Sequence, residues 1–153
     1  MRYSIDTSAI LEGWKRHDPP DVFPGLWTKV DQLIALGDLI ASEEVLEELR
    51  RQDDDVFAWA SKRPAMFCAI DERIQLAVAD LLRAHPRLVD TRRHRSGADP
   101  FVIALASIER CTVVTAEPGT GRLHRPNIPD VCAAAGIPCV TLLQLFREQR
   151  WVF

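Results

Sequence analysis

Arg2-Tyr3-Ser4-Ile5-Asp6-Thr7-Ser8 is the stretch from which the fold can be read. Tyr3 and Ile5 alternate with smaller neighbours, as a short buried strand requires, and the run ends on Asp6. Thr7 and Ser8 then open an apolar helical segment, Ala9-Ile10-Leu11. The pattern places a carboxylate at the carboxyl end of a strand, beside a helix start. In open α/β sheets the ligand crevice lies along that edge. Any partners of Asp6 must come back to it from later in the chain.

The chain has 153 residues, 47% of them hydrophobic and 27% charged, enough for one domain over residues 1–153 with a sizeable core. No apolar run approaches the ~20 residues that span a bilayer, and the start lacks the pattern of a signal peptide. A cytoplasmic protein with no membrane attachment is expected. Cys68, Cys111, Cys132 and Cys139 form no CxxC pair and have no histidine at zinc-ligand spacing, so they read as reduced, packed thiols.

A net charge of −3 gives no overall basic field. The distribution says more. Arg92, Arg93, His94 and Arg95 form one basic loop, and Arg122, His124 and Arg125 form another. Acids gather at Glu43-Glu44, Glu47-Glu48 and Asp53-Asp54-Asp55.

Strand-like and helical segments alternate along the chain. Residues 13–24 read as a loop. A helix then runs from Pro24-Gly25 to Gly37, with Leu26, Trp27, Val30, Leu33, Ile34 and Leu36 on its apolar side. Leu39-Ile40-Ala41 is a short buried strand, and Ser42 caps the helix Glu43 to Arg51. Further helices are expected over 53–62 and 70–84, and another starting at Gly97-Ala98-Asp99-Pro100. Cys111 to Thr115 is a β-branched strand running into Ala116-Glu117, followed by a loop over 118–126. A helix from Asn127 or Pro129 to Ala135, a strand at Pro138-Cys139-Val140 and a final helix capped by Thr141 complete the chain. The alternation predicts a three-layer α/β/α sandwich around a mostly parallel sheet of four to five strands.

Asp6 and Glu117 both follow parallel strands, so they share one sheet edge, and Asp99 opens a helix whose N–H groups favour an anion. In the helix after Ser42 the apolar side is Val45, Leu46 and Leu49, and Glu48 sits at its seam. Glu44 and Glu47 are its rivals but turn toward solvent. Gathered carboxylates repel unless a cation neutralises them, and an all-oxygen set suits Mg²⁺ or Mn²⁺.

Four segments in order, Ile5-Asp6-Thr7-Ser8, Val45 to Leu49, Ala98-Asp99-Pro100-Phe101-Val102-Ile103-Ala104-Leu105-Ala106 and Val113-Val114-Thr115-Ala116-Glu117, carry a family resemblance. The chain resembles the PIN-domain ribonucleases, particularly the toxin components of bacterial type II toxin–antitoxin systems. The resemblance implies Mg²⁺- or Mn²⁺-dependent hydrolysis of single-stranded RNA. It assigns Asp6, Glu48 and Asp99 to an acidic metal site and places Glu117 where the family carries a fourth acid. Asp130 is the alternative fourth acid, with Asn127 beside it. Ser8 is a further family position near the first acid. It is a candidate for substrate binding, as are Arg92, Arg93 and Arg95, which could hold substrate phosphates. A homodimer and a cognate antitoxin are the implied partners, and Trp14, Trp27, Trp59 and Trp151 serve either such contacts or the core.

Other readings fit less well. A dehalogenase-type phosphatase needs an acid where Ser8 stands, the 117–122 stretch lacks a GK[ST] ending, and no GxGxxG opens a helix. A catalytically inactive module of the same fold and a DNA-directed nuclease remain as alternatives.

Overall fold

The computed structural model describes residues 1–89 and 97–153. Arg92, Arg93 and Arg95 lie outside the described residues. Five parallel strands, β1 (Tyr3–Ile5), β2 (Leu39–Ser42), β3 (Phe67–Cys68), β4 (Thr112–Val114) and β5 (Cys139–Val140), form one sheet in the order β3-β2-β1-β4-β5. Tyr3 pairs with Leu39 on one side and Thr112 on the other, so the opening strand is central. The strand order runs outward from β1 through β2 to β3, then returns to β1's other side with β4. Between β1 and β4 therefore lies the switch point where open α/β sheets form their crevice.

Strand residues alternate between two helical layers. Ser4 faces α6 (Asp99–Glu109), donating its hydroxyl to the Val102 carbonyl at 3.0 Å. Tyr3 and Ile5 face the other layer. Tyr3 donates to Glu148 of α8 (Leu142–Glu148) at 2.7 Å, and Ile5 packs among α1 (Thr7–Glu12) and α2 (Pro24–Ala35). Helices α3 (Glu43–Gln52), α4 (Asp54–Ser61), α5 (Glu72–Ala84) and α7 (Ile128–Ala135) complete the sandwich. The predicted α/β/α architecture is the observed one, with five strands. Among the described residues no helix is long and apolar enough to cross a membrane, and all four cysteines are free thiols.

Three local expectations are corrected. Residues 13–17 continue α1 as a π-helical stretch and are not loop. Gly13 does not end the helix; it lets α8 approach, since a Cβ there would stand 2.8 Å from Leu142 Cδ2. Leu36 points to solvent, 74% exposed, because α2 ends one residue earlier. The edge strand β3 adds a fifth parallel strand where the sequence shows only the approach to a helix.

Trp14, Trp27 and Trp59 form one cluster with centroids 5.0–5.6 Å apart, Trp27 edge-to-face with both others and Trp14 tilted on Trp59, Arg63 lying over the Trp59 ring. Trp151 stacks on Phe146. The tryptophans are thus used in packing, with Trp27 also donating to the Asp18 carbonyl at 2.6 Å.

Candidate metal centre

Asp6 follows directly on β1, and its own N–H continues the sheet by donating to the Val114 carbonyl at 2.8 Å. The side chain is 2% exposed. Two hydroxyls hold one of its oxygens: Ser8 donates to Oδ2 at 2.6 Å and Thr115 to the same atom at 2.9 Å. Ser8 in turn accepts from the Ala116 N–H at 3.0 Å, and Thr115 accepts from the Glu117 N–H at 3.1 Å. One small network therefore fixes both Asp6 and the exit of β4 that carries Glu117.

Asp99 is the first residue of α6, followed by Pro100 at a position where the missing N–H costs no hydrogen bond. It is 3% exposed. Glu117 is half-buried and accepts from the Ile128 N–H at 3.0 Å, which ties it to the start of α7. Carboxylate oxygens of Asp6, Asp99 and Glu117 all lie within 4.8 Å of one another. Residues 6, 99 and 117 are far apart in sequence, and the switch point brings them together.

Glu48 borders this group. Val45, Glu48 and Leu49 are the buried residues of α3, an i, i+3, i+4 stripe in which the acid takes an apolar position. Thr7 donates its hydroxyl to Oε2, while Oε1 is buried and accepts no hydrogen bond from the described residues. Glu47 instead pairs with Arg50 at 2.5 Å on the solvent side of the helix, so the register rival points away from the group. Asp130 is also excluded, and for a clear reason. Its oxygens accept from the N–H groups of Thr120, Gly121 and Asn127 at 2.8–3.0 Å and from the Thr120 hydroxyl, which makes it the anchor of the 118–126 loop. Asn127 precedes α7 as its N-cap residue and donates to the Pro118 carbonyl.

The electrostatics follow from burial. Desolvation pushes the Asp6 carboxyl up to about 6, opposed by the Ser8 hydrogen bond and reinforced by the Glu117 charge. Desolvation likewise raises Glu48, with the Thr7 hydrogen bond opposing and the Asp6 charge adding to it. Asp130 moves the other way: its desolvation is outweighed by the hydrogen bonds it accepts, which together lower it. The buried acids carry a cost in the absence of a counter-charge; the hydrogen-bonded loop anchor does not.

Thr7 and Thr115 are the site residues that sequence reasoning missed. Both lie inside the quoted segments, directly beside Asp6 and two residues before Glu117, which was the available signal.

Residues 3–153 match the model of a family described as a domain of unknown function, DUF4411. The chain belongs to the DUF4411 family. No curated protein is significantly similar to it in sequence. Among solved structures, this DUF4411 chain is similar to VapBC2 from Rickettsia felis bound to a DNA fragment from their promoter, with a TM-score of 0.59 at 14% identity over 92% of this chain and 98% of that one. It is also similar to FitAB bound to an IR36 DNA fragment (TM-score 0.55, 17% identity, 91% and 94% covered) and to FitAcB from Neisseria gonorrhoeae (0.52, 18%, 90% and 95%). At such identities the likeness establishes the shared fold, the PIN-like fold expected from the sequence.

The donor set of this DUF4411 member fits a hard divalent cation. Three carboxylates converge; Glu48 is near enough to feel the Asp6 charge but lies outside the group whose oxygens are within 4.8 Å of one another, and no histidine or cysteine belongs to that group.

Proposed function

We propose that the protein is a metal-dependent nuclease that hydrolyses RNA phosphodiester bonds, acting as the toxin of a two-component toxin–antitoxin system in the cytoplasm. The observation that carries this reading is the convergence of Asp6, Asp99 and Glu117 at the switch point of a PIN-like sheet. These three acids, with Glu48 beside them, would hold Mg²⁺ or Mn²⁺. A bound divalent cation supplies Lewis-acid polarisation of the phosphodiester and neutralises charge that develops on it. Ser8 and Thr115 keep one Asp6 oxygen occupied and so fix the rotamer of the carboxylate, a positioning role for Ser8 beside the substrate contact proposed for it. Glu48 offers its unpartnered Oε1 to orient a water or take its proton.

The partner assignments belong to the same reading. The FitAB and VapBC2 structures hold their proteins on DNA. By the same fold, a cognate antitoxin and a homodimer are proposed for this chain.

The deciding experiment is incubation of defined single-stranded RNA with the protein, with and without Mn²⁺, beside an Asp6→Asn control, with single-stranded and flap DNA in parallel. RNA cleavage that needs both Mn²⁺ and Asp6 supports the reading. Cleavage of DNA alone makes it a DNA-directed nuclease, and metal binding without cleavage makes it an inactive interaction module.

A further inference from the structure

A second charged feature lies outside the acid cluster. Arg87, in the 3₁₀ turn after α5, faces Arg122, Leu123, His124 and Arg125 of the loop before α7. With Pro86 they line an open concavity of about 530 Å³. All four basic residues are exposed. Among the described residues no acidic side chain lines the concavity, and none of the four forms an ion pair. In a chain of net charge −3, basic residues from two segments some 35 positions apart have been brought together with no counter-charge among the described residues.

The loop that presents three of them is held in shape. Asp130 binds the Thr120 and Gly121 N–H groups and the Thr120 hydroxyl, and that hydroxyl oxygen accepts from the Arg122 N–H at 3.1 Å and lies 2.9 Å from the Arg125 carbonyl oxygen. The arginines therefore sit on a pre-organised backbone, and binding them costs less ordering entropy than binding through a loose tail. The same loop begins at Glu117. Arg122 stands five positions after Glu117, so their Cα atoms lie within about 18 Å of each other, a span of a few nucleotides.

We propose that this concavity is a phosphate-binding subsite that grips the backbone of a nucleic-acid strand whose scissile bond lies at the acid cluster. The inference rests on the nuclease reading of that cluster. Arg87, Arg122 and Arg125 contact phosphate oxygens, His124 adds a hydrogen-bond donor, and Leu123, 56% exposed, offers apolar surface to a sugar or base. An acidic peptide would satisfy the charges equally. The strand is favoured because the loop is continuous with Glu117 and its anchoring fixes the spacing between the two sites.

The test is fluorescence anisotropy of a short labelled single-stranded RNA in EDTA, titrated at several salt concentrations. The wild type should bind, and Asp6→Asn should bind no more weakly. The triple variant Arg87→Gln, Arg122→Gln, Arg125→Gln should lose about tenfold or more in affinity, and the slope of log K against log salt should shrink by about 0.7 for each phosphate that is no longer neutralised. Unchanged affinity and slope in the triple variant overturn the subsite. Displacement of the RNA by poly-glutamate more readily than by unlabelled RNA overturns it in favour of an acidic protein partner. If the wild type cleaves nothing but binding still depends on the three arginines, the nuclease reading fails and the strand-binding site stands. Cleavage with arginine-independent binding sinks the subsite alone.

Discussion

The Thr7 hydroxyl donates to one oxygen of Glu48, and the other oxygen is buried without a hydrogen-bond partner among the described residues. A buried carboxylate served mainly by one hydroxyl, with the Asp6 charge nearby, depends strongly on that hydroxyl. Thr7→Val removes the hydroxyl that serves Oε2 and leaves the buried acid worse satisfied still. A cost of about 1–3 kcal/mol in denaturant unfolding is expected, and a double-mutant cycle with Glu48→Gln should give a coupling of at least ~0.5 kcal/mol. Additive effects would mean that the two side chains are energetically independent.

Asp6 makes the metal-free protein sensitive to pH. Its folded carboxyl titrates at about 6 against an ordinary value of 3.8, so between those values the folded state binds the extra proton. Stability contributed by the protonated form is present below the lower value and is lost as pH rises through the upper one. The difference corresponds to about 3 kcal/mol at most. In EDTA, wild-type Tm should fall from pH 5 to pH 7.5, and Asp6→Asn should be more stable than wild type at the upper end with a flatter profile. Glu48, raised by the same burial, acts in the same direction. A wild-type Tm that climbs with pH while the variant's does not would contradict this.

Much of this site is legible in the sequence, for physical reasons. Asp6 is placed by the strand it ends, and Glu48 by the helical stripe Val45, Glu48, Leu49, since a one-residue shift would have put Glu47 there. The roles of Asp130 and Gly13 are not legible. An acid near a helix start can cap, anchor or ligate, and only the positions of the Thr120 and Gly121 N–H groups decide between these. A glycine after a short helical run reads as a stop signal, whereas here the approach of Leu142 is what excludes a side chain. β3 has two residues, too few for any period.

The anchoring role assigned to Asp130 separates it from the metal group. Asp130→Ala removes the acceptor of several backbone N–H groups and the side-chain cap at α7, and should lower stability by about 2 kcal/mol. Limited proteolysis should then cut within residues 118–126. Mn²⁺ affinity, read by calorimetry, should stay within a few-fold of wild type. A large loss of Mn²⁺ affinity in a protein whose loop remains protease-resistant would restore Asp130 as a ligand.

The tryptophan cluster predicts a structural effect remote from the acids. Trp27→Phe loses the hydrogen bond to the Asp18 carbonyl and part of the edge-to-face packing with Trp14 and Trp59. Destabilisation of about 1–3 kcal/mol is expected, with a reduced near-ultraviolet circular dichroism signal. Mn²⁺ affinity should be unchanged in the folded variant; a change would tie the cluster to the site.

The most direct measurement is Mn²⁺ titration of the folded protein by calorimetry, wild type against Asp6→Asn and Asp99→Asn. Saturable binding by the wild type, weakened at least about tenfold in each variant while both remain folded, is the predicted result. Equal binding by all three proteins, or none by the wild type, would contradict the claim that these buried carboxylates exist to hold a divalent ion.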